Sequence, residues 1–206
     1  MSRLRTELAK ATWRLSHDQL TGLLNRTGLG TRCTEIAAGS PEQAAIVMLI
    51  DLDLFKTVND AYGHDAGDDL LMEIADRLQQ IAEICAGGVA RLSGDEFAAV
   101  LPSHGRPAGA LGELVNALIA EPVELHVGTG PVSVTITASI GIAVVPAADL
   151  RHSNPLRHAD VAMYHAKQRG RGRHVLYAPG MTMPGGTPRK GPRARDLHRH
   201  NPGGRA

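Results

Sequence analysis

Apolar positions along this chain recur in two rhythms, three-to-four and two, and the alternation between them predicts the elements. Leu4, Leu8, Ala11 and Leu15 recur at helical spacing, so residues 1–15 are expected to form a helix that is polar on its other faces. That helix suits a stalk or a dimer contact, and equally a helix packed on its own domain. "HDQLTGLLNR" follows as a turn-rich link, a second helix is expected from near Asn25 to about Ala38, and "GSPEQ" breaks the chain. Residues 44–50, "AAIVMLI", are an unbroken apolar run, the pattern of a strand buried on both faces. Leu70, Leu71, Ile74, Leu78, Ile81 and Ile84 form one apolar stripe and predict a long helix. Two short apolar runs, Val89–Leu92 and Phe97–Leu101, flank "SGDE" as a hairpin. "GRPAGALGELVNALIAE" reads as a helix, "VSVTITASIGIAVV" as a β-branched strand, "NPLRHADVAMYHAKQRG" as a last helix and "HVLY" as a short strand. This order predicts an α+β sandwich of the ferredoxin-like βαββαβ type, with a central mixed sheet flanked by helices. No internal repeat is visible.

Composition sharpens the boundaries. The 206 residues are 43% hydrophobic but only 3% aromatic, so the core is built from Ala, Val, Leu and Ile. The net charge of +1 conceals an asymmetry: from Ala178 onward six Lys/Arg stand against one acid, Asp196, leaving 16 basic and 20 acidic residues before them. Residues 178–206 are rich in Gly, Pro and Arg and nearly devoid of apolar side chains, which predicts a disordered basic tail. The expected organisation is an N-terminal helix or stalk over 1–16, one domain over 17–177, and the tail. Cys33 and Cys85 lack metal-type spacing and fit a reducing cytosol. The charged N-terminus has no apolar leader core, and no apolar run is long enough to span a bilayer, so a cytoplasmic protein is expected.

The candidate chemistry sits where strands end. Asp51 and Asp53 close the first strand, and Asp95 and Glu96 occupy the hairpin tip. In a ferredoxin-like sheet the two sets can meet at one edge. Hard divalent cations want such oxygen ligands, and Mg²⁺ takes one or two carboxylates with phosphate and water completing its shell. Alternatively, each pair terminates a strand and faces water. "DLDLFKTVNDAYG" begins as a calcium loop would, but Phe55 and Lys56 stand where an oxygen ligand and a glycine are required. No P-loop is present, so a bound nucleotide needs another cradle.

"DQLTGLLNR", "LIDLDLFKTVNDAYGHDAGDDLL", "VARLSGDEFAAVLP", "VTITASIGIA" and "ADVAMYHAKQRGRGR" occur in the order seen in GGDEF-domain diguanylate cyclases, which the chain resembles from about His17 to Tyr177. The resemblance implies a nucleotide-cyclase-like fold and a bacterial second-messenger enzyme, a nucleotidyltransferase. It condenses two GTP into cyclic di-GMP and two pyrophosphates, working as a dimer with Mg²⁺ or Mn²⁺. It implies that Asp51, Asp95 and the backbone carbonyl of Leu52 are metal ligands. Glu96 is the neighbouring acid, metal-linked or acting on the 3′-hydroxyl. Asn59 and Asp68 match the guanine-reading pair: a carboxylate accepts from guanine N1–H and its exocyclic amine, donors that adenine lacks. The same two residues also suit turn and helix-cap roles. Lys56, Lys167 and Arg171 match the phosphate-holding cations, although cations near a helix C-terminus need no ligand to explain them. Gly94 belongs to the hairpin motif, His64 to the family's Gly-His pair, and Phe55 and Leu71 are expected at the guanine pocket or in the core. Asp53 supports the site or makes a strand-end ion pair.

Two departures stand out. Ser93 replaces the family's first Gly: a negative φ there makes the change mild, and a positive φ brings strain of about 1–2 kcal/mol. Gly172 replaces the Asn that follows the family's Arg. In addition, Ile84 and Gly87 occupy the positions of the Arg and Asp of the product-inhibition site that many members carry, so inhibition through that surface is not expected. The competing readings are a catalytically inactive GGDEF domain that binds GTP or cyclic di-GMP and regulates a sensory or effector partner, and an anionic-surface binder through the tail. The latter has no aromatic interleaving, and no nucleic acid is expected as partner.

Overall fold

The computed structural model describes residues 13–128 and 130–183. The expected N-terminal helix is thus described only over residues 13–16, which are helical, and the rest of it lies outside the described residues. The same holds for the expected tail from residue 184 onward.

Helix α1 (Arg26–Gly39) starts where the side chain of Asn25 accepts from the backbone N–H groups of Thr27 and Gly28, satisfying donors the helix cannot. Strand β1 (Ala44–Leu52) is buried on both faces, as the unbroken run predicts. Helices α2 (Phe55–Tyr62) and α3 (His64–Ile84) follow, then the hairpin of β2 (Gly88–Ser93) and β3 (Glu96–Pro102). Helix α4 (Ala108–Ile119) leads into β4 (Val123–Val127) and β5 (Gly130–Val134), a separate two-stranded sheet. Strand β6 (Ala138–Pro146), a 3₁₀ turn, α5 (Pro155–Gln168, with proline in its first turn) and β7 (Arg173–Leu176) complete the domain.

The main sheet has the order β2-β3-β1-β6-β7. Its first four strands pair antiparallel in the ferredoxin-like arrangement, and β7 joins β6 in parallel, which makes the sheet mixed as expected. One layer buries Ile46, Met48, Ile50 and Leu52 against α3 and α4. The other buries Val47 and Leu49 with Leu29 of α1 and Met163 of α5. Strand periodicity therefore assigns Asp51 to the α5 side. Arg77 of α3 locks the end of α4 in place by donating to the carbonyls of Leu118 (3.0 Å) in its last turn and of Glu121 (2.6 Å) and Pro122 (3.0 Å) just beyond it.

One helix adds to the expected elements, and three local expectations change. The segment Phe55–Tyr62 is helical, whereas its eight residues are too short to carry a legible period. The run "VSVTITASIGIAVV" breaks into β5 and β6 because Thr137 turns to bond Asp53 through both its carbonyl and its hydroxyl. Ile84 does not share the core stripe of α3 and is 68% exposed. Ordered chain also continues past Tyr177: Met181 packs against the small cluster of Ala162, Ala166 and Val175. Among the described residues no helix is long and apolar enough to cross a membrane.

Candidate functional site

One edge of the sheet collects the acids. β1 delivers Asp51 at its C-terminal end, directly opposite Glu96 of β3 and Ser139 of β6. The hairpin tip is sewn to this point by the Leu52 N–H, which donates to the Asp95 carbonyl at 3.2 Å. Within the tip, Gly94 takes φ +50°, and the pairing of β2 with β3 shifts register between Arg91 and Ser93. Ser93 is not among the residues with positive φ, so the serine sits in backbone that any L-residue adopts. Its hydroxyl lies 3.4 Å from Glu96 Oε2. The strained alternative for this position is thereby removed.

The charge of Asp95 is only partly compensated by the protein itself. The Asp95 carboxyl is pushed above the ordinary carboxylate value first by burial and then by the negative charge of Asp51. Its own backbone N–H, Lys167 and Arg91 offset part of that rise. Lys167, in the last turn of α5, places Nζ 2.6 Å from Asp51 Oδ2. Two carboxylates that repel one another beside a half-exposed ammonium fit a hard divalent cation and a polyphosphate. Among the described residues no group of three or more His, Cys, Asp or Glu is arranged for a metal, so these two carboxylates would need the Leu52 carbonyl, phosphate and water to complete a shell.

Asp53 does not face the edge. It is 6% exposed, and its oxygens accept from Thr137 Oγ1 (2.8 Å), Ser139 Oγ (2.7 Å) and the Gly172 N–H (2.9 Å). It thus ties the ends of β1 and β6 to the turn between α5 and β7. In that turn Gly170, Arg171 and Gly172 all take positive φ. For Arg171 this costs about 1–2 kcal/mol, sustained by the surrounding bonds. Arg171 lies beyond the end of α5 rather than on its last turn, which corrects the expectation that it shares a helix end with Lys167. Its Nε is 3.9 Å from Asp53 Oδ1. Gly172 adopts the left-handed conformation that Asn also tolerates, so the departure from the family pattern preserves the turn.

The remaining expected residues lie on α2 and α3. Phe55 and Leu71 are buried in the main core, and His64 is exposed at the first residue of α3. Asn59 lies against Gly67, whose neighbour Asp68 is exposed. Lys56 does not join the acids: its ammonium, 85% exposed, bonds Asp60 at 2.6 Å on its own helix.

One arrangement escaped sequence reasoning. Arg91 donates from Nε to the Gly94 carbonyl (2.8 Å) and from Nη1 to Asp18 Oδ1 (3.2 Å), bracing the hairpin tip against the link after the first helix. Burial raises the Asp18 carboxyl, but bonds from Thr21 and Arg91 outweigh it and leave the pKa below the ordinary value. Both residues stand in quoted motifs, yet nothing in the sequence pairs them. A cavity of about 390 Å³ bounded by His17, Thr21, Asp76, Gln79, Gly87 and neighbouring chain holds none of the edge acids. The candidate site is instead the open sheet edge, because the carboxylates and cations gather there.

A protein-family model described as "Diguanylate cyclase, GGDEF domain" matches residues 15–173. The bifunctional diguanylate cyclase/cyclic di-GMP phosphodiesterase MucR of Pseudomonas aeruginosa is 39% identical over 187 residues, covering 86% of this chain and 26% of that protein. Diguanylate cyclase TpbB of the same species is 38% identical over 181 residues, covering 85% of this chain and 40% of that protein. The chain thus spans less than half the length of these curated relatives. Among solved structures, the coiled coil and GGDEF domain of DgcB from Caulobacter crescentus, in complex with c-di-GMP, matches with a TM-score of 0.72 at 26% identity, over 85% of this chain and 92% of that one. Diguanylate cyclase SiaD in complex with its activator SiaC, from Pseudomonas aeruginosa, matches with a TM-score of 0.69 at 31% identity, over 85% and 66%.

Proposed function

The chain belongs to the GGDEF family of diguanylate cyclase domains, and on that premise we propose that it is an active cyclase that joins two GTP into cyclic di-GMP. The observation that carries this reading is the edge itself: Asp51, beside Asp95, with the Lys167 ammonium 2.6 Å from its carboxylate. In the proposed reaction the 3′-hydroxyl of one GTP attacks the α-phosphorus of the other. A new O–P bond forms, the bond to pyrophosphate breaks, and the hydroxyl proton departs to a base. Glu96, opposite Asp51 across the strand pair, would take or relay that proton. Asp51, Asp95 and the Leu52 carbonyl would hold the divalent ion, Mg²⁺ or Mn²⁺. When bound, that ion neutralises phosphate charge and acidifies the attacking hydroxyl. Lys167 and Arg171 bind the β- and γ-phosphates, Lys56 adds a further cation once it leaves Asp60, and Asn59 with Asp68 reads guanine. Each domain holds one GTP, so a second copy must face the first.

Incubation of the purified protein with GTP and Mg²⁺ is expected to yield one cyclic di-GMP for every two pyrophosphates, with Asp51→Ala inactive. Added product should not slow the reaction: Ile84 and Gly87 supply no charge for it, and a Cβ on Gly87 would meet the Val100 carbonyl at 2.5 Å. Absence of product at concentrations where two copies associate would overturn the cyclase reading. Direct GTP binding would then test the silent-regulator reading. Because Ser93 is unstrained and exposed, Ser93→Gly is expected to keep turnover within about threefold of the parent, the effect of about 0.5 kcal/mol. A tenfold change either way would show that the serine hydroxyl takes part.

A further inference from the structure

Gly67 is the fourth residue of α3 and is buried, with a backbone N–H that donates to the Gly63 carbonyl at 3.2 Å. Its φ is not positive, so the helix has no conformational need of glycine there. Glycine in a helix interior costs about 1 kcal/mol relative to alanine. What the position lacks is room. A Cβ at Gly67 would fall on Asn59 Oδ1, with Asn59 Cγ at 2.9 Å and Phe55 Cζ at 3.2 Å. The amide of Asn59 therefore lies across the bare Cα of Gly67, with the edge of the Phe55 ring beside it.

A second observation bears on why that amide is there. Among the described residues the Asn59 side chain makes no hydrogen bond, and Asp68, next to Gly67, makes neither a side-chain hydrogen bond nor an ion pair. The N-caps of α2 and α3 likewise make no side-chain hydrogen bond, so the amide is not spent on capping. A half-buried amide and an adjacent carboxylate with their hydrogen-bonding capacity unspent fit a heterocycle that presents both donors and acceptors.

We propose that Gly67 is the positioning residue for nucleotide specificity: its missing side chain seats the Asn59 amide on the first turn of α3, next to Asp68, where the pair receives a guanine base. This rests on the reading of Asn59 and Asp68 given above. The residue acts through Asn59 and touches no reacting atom.

The test compares the 206-residue protein with Gly67→Ala, Asn59→Ala and the double variant. Equilibrium binding is measured with non-hydrolysable GTP and ATP analogues, alongside thermal melting. Gly67→Ala is expected to melt at or above the wild-type temperature, because alanine favours the helix. It should bind the GTP analogue at least tenfold more weakly, with binding of the ATP analogue, which rests on phosphate contacts, unchanged. In turnover the loss should appear in KM rather than kcat. In the Asn59→Ala background, where the space is free, Gly67→Ala should add no further loss. Wild-type affinity for the GTP analogue in Gly67→Ala, or a full additive loss in the double variant, would overturn the proposal. A wild-type protein that binds both analogues equally would remove the guanine reading itself, and the proposal with it.

Discussion

Asp95→Asn is expected to abolish cyclic di-GMP synthesis while leaving the melting temperature unchanged or higher. A loss of about 4 kcal/mol of charge stabilisation at the phosphate is a loss of about a thousandfold in rate. The amide is nearly isosteric but carries no charge for a divalent ion, so this magnitude applies to the variant. The stability side follows from the raised pKa. The folded state holds a proton on Asp95 more readily than the unfolded chain does, owing to burial and to Asp51. The contribution of this group to stability is therefore fully present below the ordinary value of 3.8 and is lost as pH rises through the higher folded value. At neutral pH the ionised carboxylate is the unfavourable form, and a neutral amide relieves it. Mg²⁺ with GTP should raise the melting temperature of the parent by mass action and leave that of the variant unmoved. A variant that still makes product would remove Asp95 from the catalytic edge.

The largest stability effect is expected at Asp53. Asp53→Ala strands the Thr137 and Ser139 hydroxyls and the Gly172 N–H, the serine being fully buried. The buried serine hydroxyl left unpaired costs about 1–3 kcal/mol, whereas Thr137 and Gly172 are exposed and regain water, so the whole loss is about 2–3 kcal/mol. For a domain of this size, about 2–4 °C of melting temperature is lost per kcal/mol, so a fall of about 7 °C is expected. Activity should vanish even below that transition, because the left-handed turn bearing Arg171 loses its tie to β1. Asp53→Asn keeps one acceptor and should fall between the two. A melting temperature for Asp53→Ala within about 2 °C of the parent would show that these bonds are offset by solvation in the unfolded chain.

The contrast between these two acids marks what the sequence can reveal. β1 was legible because seven consecutive apolar residues, Ala44–Ile50, have one reading at that length, and Asp51 follows directly from where the run stops. The hairpin was legible from its two flanking runs, and ferredoxin-like order then brings its tip to β1. Asp53 was ambiguous because its partners come from β6 and from the turn before β7, and no local pattern announces them. The same bonds broke the Thr-rich run that alternation assigned to a single strand. The helix Phe55–Tyr62 was missed because eight residues carry too few apolar positions to set a period. Asn59 and Asp68 are legible through resemblance, whereas the role proposed for Gly67 is not: a missing methyl has meaning only once the neighbouring amide is located in space.

The bonds at this edge have a consequence for the order of assembly. Asp53 reaches partners 84, 86 and 119 residues away, and Arg91 reaches one 73 residues away. Helices such as α3 close on themselves with local contacts, whereas these contacts require most of the chain to be gathered first. The carboxylates leave the ribosome early, and the donors that fix Asp53 leave it late. Until Gly172 has been synthesised and β6 has docked beside β1, the acids have no fixed geometry to offer a nucleotide. The acidic edge is thus completed together with the last-made parts of the core, β6 and α5, and a nascent or truncated chain ending before β7 would lack the tie from Asp53 to the Arg171 turn.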